Sequence, residues 1–210
     1  MQFPTPRATI ALVAVTSVAW LITSNGSLNE ASAVLAGFIP ARATDAAATA
    51  PGAVPFVLTP LTATLVHAGF VHLAFNMLML MICGRMVEAA LGRWGVALLY
   101  LLGAYAAAAA QYAVDPGSTA PMVGASGAVS ALVGAYALLF GQRRGKAIGP
   151  FSAELLHVLW LAAAWIGLQL LVTFAIGNEG PVIATAAHVG GFLLGLLLAR
   201  PILRFRYRKA

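Results

Sequence analysis

Charge is what this 210-residue chain has least of. Asp, Glu, Lys and Arg make up 9% of it, against 61% hydrophobic residues, with a mean hydropathy of +0.90. Soluble domains carry about a quarter charged residues, so a soluble globular domain is excluded. Cysteine is nearly missing: Cys83 stands alone, which rules out an intramolecular disulfide framework and a cysteine-based metal cluster. No set of ligands suited to a catalytic zinc is apparent, and no cofactor is expected. The net charge of +6 raises nucleic acid as a partner. The chain contains none of the recognisable binding modules, however, and its basic residues are distributed in a way that serves another purpose. A chain of 210 residues has no room for a sizeable second domain, so residues 1–210 are expected to form a single membrane domain.

Apolar runs are what the chain has instead. They cover about 8–23, 65–83, 94–114, 122–140, 153–176 and 182–200, close to the roughly 20 residues that a spanning helix needs. Only a helix pairs every backbone group within its own segment in lipid, so the expected fold class is an all-α polytopic membrane protein with six transmembrane helices. Turn chemistry marks the breaks: Asp115-Pro116-Gly117, Gly145 to Pro150, and Gly177-Asn178-Glu179-Gly180-Pro181. Six spans put both termini on one side. That side holds Arg7, Arg85, Arg93, Arg143, Arg144, Lys146 and the tail Arg200, Arg204, Arg206, Arg208 and Lys209, leaving only Arg42 outside. Lys and Arg bias in short loops sets orientation, so both termini are expected to be cytoplasmic. The basic tail, 201–210, then serves as a topology signal and a contact for anionic lipids. Residues 24–60 form the one long connection, on the outer side. Their apolar patches at Leu35 to Pro40 and Val54 to Leu58 suggest a segment lying on or dipping into the interface.

Against this background the polar residues stand out. Ser126 follows Pro121 by five positions, and His188 follows Pro181 by seven. His72 lies seven residues into the second span, with Asn76 one turn deeper on the same face. At about 1.5 Å per residue, Ser126, His72 and His188 reach one level, roughly 7–11 Å below the outer boundary. Ionisable groups at such depth are rare and usually mark function. Ser with His is the minimum pair for nucleophilic catalysis, the imidazole taking the hydroxyl proton. The fourth span carries Gly127, Ala131, Gly134 and Ala135, and the sixth carries Ala187, Gly191 and Gly195. Small residues four apart let membrane helices meet backbone to backbone, which would bring Ser126 within reach of His188. Backbone N–H groups at the start of the fourth helix are suited to a developing oxyanion. His67 falls on another face, nearer the surface. His157, three residues after Glu154, reads as structural, as do Cys83 and the methionines.

Taken in order, these motifs resemble the rhomboid intramembrane serine proteases. Gly124-Ala125-Ser126-Gly127 is similar to the family's Gly-x-Ser-Gly, and His72-Leu73-Ala74-Phe75-Asn76 to its His-x-x-x-Asn. Ala187-His188 with Gly191 and Gly195 is similar to Ala-His-x-x-Gly-x-x-x-Gly, and Gly84-Arg85-Met86-Val87-Glu88 with Leu91-Gly92 fits the inner end of the second span. The resemblance implies a six-helix rhomboid-like bundle, with Ser126 as nucleophile and His188 as base in a dyad that has no carboxylate. It implies that His72 and Asn76, with backbone N–H groups, stabilise the oxyanion, and that His67 supports water or hydrogen bonds. The implied substrates are transmembrane proteins cut near the outer face. Two features depart from the pattern: Ser130 stands where an aromatic residue packs on the base in well-known members, and the first loop has Arg42 but no Trp-Arg pair. Two other readings compete. A non-catalytic rhomboid-fold binder or dislocation factor typically loses the serine or the histidine, and this chain keeps both. A small transporter would be expected to show internal repeats, and none is convincing here. The expected location is the bacterial inner membrane, given the compact size and lack of an organelle presequence. Substrate identity and oligomeric state are not legible.

Overall fold

The computed structural model describes residues 5–24, 27–141, 147–176 and 185–208. Among the described residues all regular structure is helical, apart from isolated bridges between Phe38 and Met122 and between Ile148 and Phe151. The helices are α1 (Arg7–Thr23), α2 (Ser27–Ala36), α3 (Thr59–Thr62), α4 (Phe70–Met79), α5 (Arg85–Val114), α6 (Ser126–Phe140), α7 (Ala153–Ile176) and α8 (Thr185–Arg206). A π-helical turn, Leu80–Gly84, joins α4 to α5. Gly92, at φ 76° and ψ 170°, interrupts α5. That left-handed conformation suits glycine, which has no Cβ to clash. Two rods therefore meet there, residues 70–91 and 93–114.

These bounds correct the sequence reading in three places. The second apolar helix begins at Phe70, not residue 65, and runs on to Leu91 rather than ending at 83. Leu65 ends a 3-10 turn, Ala63–Leu65, residues 66–69 form a connection, and the π turn keeps the backbone helical through Gly84. The fourth helix starts at Ser126 rather than residue 122, because Met122 exchanges backbone hydrogen bonds with Phe38 at 2.8 and 3.0 Å. The sixth helix passes through Pro201 to Arg206. The connection at 24–60 is also structured: it holds α2 and short 3-10 turns, and Arg42 ties the turn Ala46–Ala48 to α2. That guanidinium is buried and donates to the carbonyls of Val34 at 2.7 Å and Ala48 at 3.0 Å. Burial lowers its pKa from the ordinary value.

The helix ends explain two other charges. Glu88 is buried and accepts from Ala8 N–H, Thr9 N–H and the Thr9 hydroxyl at 2.8–2.9 Å, so its carboxylate caps the first turn of α1. Arg206 donates to the Ala89 carbonyl at 3.2 Å, near the end of the 70–91 rod.

At the centre, α8 packs against α5 and α6. The approach of α6 to α8 is as close as backbone allows. A Cβ at Gly191 would collide with the Gly127 carbonyl oxygen, one at Gly195 with that of Ala131, and one at Gly134 with that of Phe192. Leu80, Leu99 and Leu132 fill the interior with no exposed area. The exterior is apolar too: Phe70, Val71, Trp94 and Leu197 are each at least 67% exposed. A water-facing patch of this extent marks an interaction surface. An apolar exterior of this kind suits lipid contact, and the run Phe70–Val114, interrupted at Gly92, and the helix Thr185–Arg206 are by length and composition apolar enough to cross a membrane.

Adding a side chain at the α6–α8 crossing is therefore expected to destabilise strongly. Gly191→Val should cost at least the 1–3 kcal/mol typical of overpacking, read as a lower thermal midpoint in detergent. Gly167→Ala, where a Cβ meets nothing within 4 Å, should leave the midpoint unchanged or higher.

Candidate active site

The crossing of α6 and α8 places Ser126 and His188 together. Ser126 is the first residue of α6, and His188 lies in the first turn of α8. The Ser126 hydroxyl and His188 Nε2 are 2.7 Å apart, a hydrogen-bond distance for a hydroxyl donating to a neutral imidazole. Both residues are half-buried.

The segment leading to Ser126 is held from three sides. Met122 pairs with Phe38, Gly124 N–H donates to the Ala63 carbonyl at 2.8 Å, and Ala125 N–H donates to His67 Nε2 at 3.3 Å. Gly124 has φ +112°, so a side chain there would be strained. It would also be obstructed, because a Cβ on Gly124 would lie 2.7 Å from both Nε2 and Cε1 of His72. The glycine thus lets the His72 ring press directly on the backbone beside the serine. No side chain caps α6, so the first-turn N–H groups have no capping partner from the residue that precedes them.

Asn76 is buried and its amide donates to the His72 carbonyl at 2.8 Å, one turn back. The amide keeps a second hydrogen, and its Oδ1 has no hydrogen-bond partner. Ser130, the position of the departure noted above, is buried and donates to the Ser126 carbonyl at 2.8 Å. It thereby turns its hydroxyl back onto its own helix.

His67 departs from the helix face that the spacing gave it, while taking up the hydrogen-bonding part that the resemblance implied. Its side chain is fully buried, its ring centroid is 5.0 Å from that of His72, and Asn29 donates to its carbonyl at 3.1 Å. Because Nε2 accepts from Ala125 N–H, the proton of a neutral ring sits on Nδ1. Gly69, two residues on, could have signalled it, since a helix starting after that glycine leaves His67 in a connection. His157 lies at the other end, its buried Nε2 near Gly141, beside an ion pair between Glu154 and Arg200. The glycine-rich turn at 177–181 lies outside the described residues.

The comparison with known proteins decides the family. The model described as Rhomboid domain matches residues 57–205. The chain belongs to the rhomboid family. It is 33% identical over 133 residues to rhomboid-related protein 2 of Mus musculus, covering 63% of this chain and 43% of that protein. It is 35% identical over 136 residues to the rhomboid protease GlpG of Serratia proteamaculans, covering 63% and 44%. With the rhomboid protease GluP of Bacillus subtilis it shares 29% over 139 residues, covering 66% and 25%. The matched part of this rhomboid thus spans less than half the length of these relatives. Rhomboids are integral membrane proteins, in keeping with the apolar exterior described above.

His67 generates a stability test. His67→Leu removes the acceptor for Ala125 N–H, and stranding a buried donor costs about 1–3 kcal/mol. The thermal midpoint should fall, with His67→Gln falling less because its side-chain oxygen restores an acceptor. Equal midpoints for wild type and His67→Leu would mean that the contact carries no weight.

Proposed function

We propose that this chain is an intramembrane serine endopeptidase that cuts transmembrane proteins near the outer face of the membrane. The observation that carries the reading is the 2.7 Å approach of Ser126 Oγ and His188 Nε2. It occurs at the start of two helices packed on their backbones, inside an apolar bundle. In this reading the Ser126 oxygen attacks the scissile carbonyl while its proton passes to His188 Nε2. The same imidazole then returns that proton to the leaving amine, and water releases the acyl group by the reverse sequence. Negative charge develops on the attacked oxygen beside the α6 N-terminus. His72, against Gly124, and the second amide hydrogen of Asn76 are assigned to stabilise it.

The proposal includes six spans: α1, the rods 70–91 and 93–114, α6, α7 and α8. The cytoplasmic side would hold both termini, the basic residues supplying the orientation. It treats 1–210 as a single rhomboid-type domain, located in a bacterial inner membrane and contacting its lipids. The relatives named as proteases support this reading. The family resemblance supports the assigned roles.

Cleavage of a single-span reporter in vesicles tests it. Ser126→Ala and His188→Ala should each abolish turnover while the proteins remain folded, because nucleophile and base act as a unit. His72→Ala and Asn76→Ala should remain measurable but slowed, by about 10²–10³ for one lost oxyanion donor. Full activity in Ser126→Ala contradicts the reading. Wild-type rates in His72→Ala or Asn76→Ala remove that residue from the oxyanion assignment.

Acidification supplies a second test. A protonated imidazole cannot accept the serine proton, so the rate should fall with acidification. A rate still rising below about pH 5 is incompatible with a histidine base.

A further inference from the structure

The base must be aimed as well as present. Ser130, on the nucleophile's helix, is too small to pack widely on an imidazole, and its hydroxyl is committed to the Ser126 carbonyl. Its Cβ faces Gly191, another residue with no side chain to contribute. The aromatic surface near the base comes from elsewhere. Trp165 of α7 lies against α8, its indole stacked on Phe192 with centroids 5.0 Å apart and planes 7° from parallel. Phe192 is four residues after His188, so it occupies the same helix face one turn deeper. The Trp165 indole N–H also reaches the carbonyl of His188 itself, at 3.4 Å. One side chain thus grips both the residue bearing the base and the turn beneath it.

We propose that Trp165 is a positioning residue for the base. By stacking on Phe192 and donating to the His188 carbonyl, it fixes the first turn of α8. It thereby sets the angle at which His188 Nε2 meets Ser126 Oγ. The inference rests on the protease reading given above. A second tie, the Glu154–Arg200 ion pair, joins the same two helices about 18 Å deeper, at 1.5 Å per residue over the twelve residues from His188. The two ties make α7 and the base one mechanical unit. Any shift of α7 that breaks the indole contact also detunes the Ser126–His188 pair.

The test separates aiming the base from admitting the substrate. Turnover and KM are measured for a single-span substrate, beside the labelling rate of Ser126 by a small soluble fluorophosphonate that needs no lateral entry. The variants are Trp165→Phe, which keeps a ring but removes the donor, Trp165→Ala and Phe192→Leu. Misplacing a reacting group by about 1 Å costs on the order of 10²-fold. Turnover and labelling should fall together in Trp165→Ala, by about 10- to 100-fold, with KM unchanged. Trp165→Phe and Phe192→Leu should show the same paired fall at smaller size, and they carry the test if Trp165→Ala does not fold. Labelling at the wild-type rate with altered cleavage would overturn the inference and assign Trp165 to substrate entry. Changes confined to KM would overturn it as well. Absence of labelling in the wild type would instead defeat the protease reading, and this inference with it.

Discussion

The backbone contact between α6 and α8 is the constraint on which the rest depends. Lipid gives apolar side chains no reason to prefer one another over acyl chains, so membrane helices associate through close packing and hydrogen bonds. Gly134, Gly191 and Gly195 remove the side chains that would hold these two helices apart. Once the helices touch along this line, Ser126 and His188, each in a first turn, must face each other. The 2.7 Å contact follows from the packing of residues far deeper than the pair itself.

A second layer of constraint comes from the connections. The segment 122–125 is not a free loop leading into α6. It is pinned by Phe38, Ala63 and His67, and at Gly124 it accepts the ring of His72 against its backbone. Two structures far apart in sequence, the first loop and the start of α4, thus shape the surroundings of the serine. Arg42 and Glu88 have parallel roles at a distance. Each is a charge in an apolar protein held by backbone groups: carbonyls on Nε and Nη2 of the guanidinium, whose buried Nη1 has no partner, and helix-start N–H groups for the carboxylate. Such hydrogen bonds offset part of the penalty of burying an ion.

What could be read from the sequence divides along physical lines. Helix existence was legible because the apolar runs are long, and the small-residue pattern foretold the α6–α8 contact because it has a single steric meaning. Helix starts were less legible. Apolar residues 66–69 and 122–125 continue the hydrophobic runs on either side of the boundary, and only tertiary hydrogen bonds reveal them as connections. His67 was misplaced for that reason: helical spacing from His72 puts it on another face, whereas the chain before Phe70 is not helical. The grip of Trp165 on α8 had no sequence signal at all. An aromatic residue among small ones reads as lipid-facing until its stacking partner is known.

The account's central claim is that Ser126 is a nucleophile made reactive by His188, and covalent mapping tests it most directly. Purified protein in detergent would be treated with a fluorophosphonate, digested, and its adduct located by mass spectrometry. The account predicts one adduct, on the peptide carrying Ser126. It should be absent in Ser126→Ala and lost in a folded His188→Ala protein. An unmodified Ser126 in active wild-type protein, or an adduct of undiminished yield in His188→Ala, would contradict it.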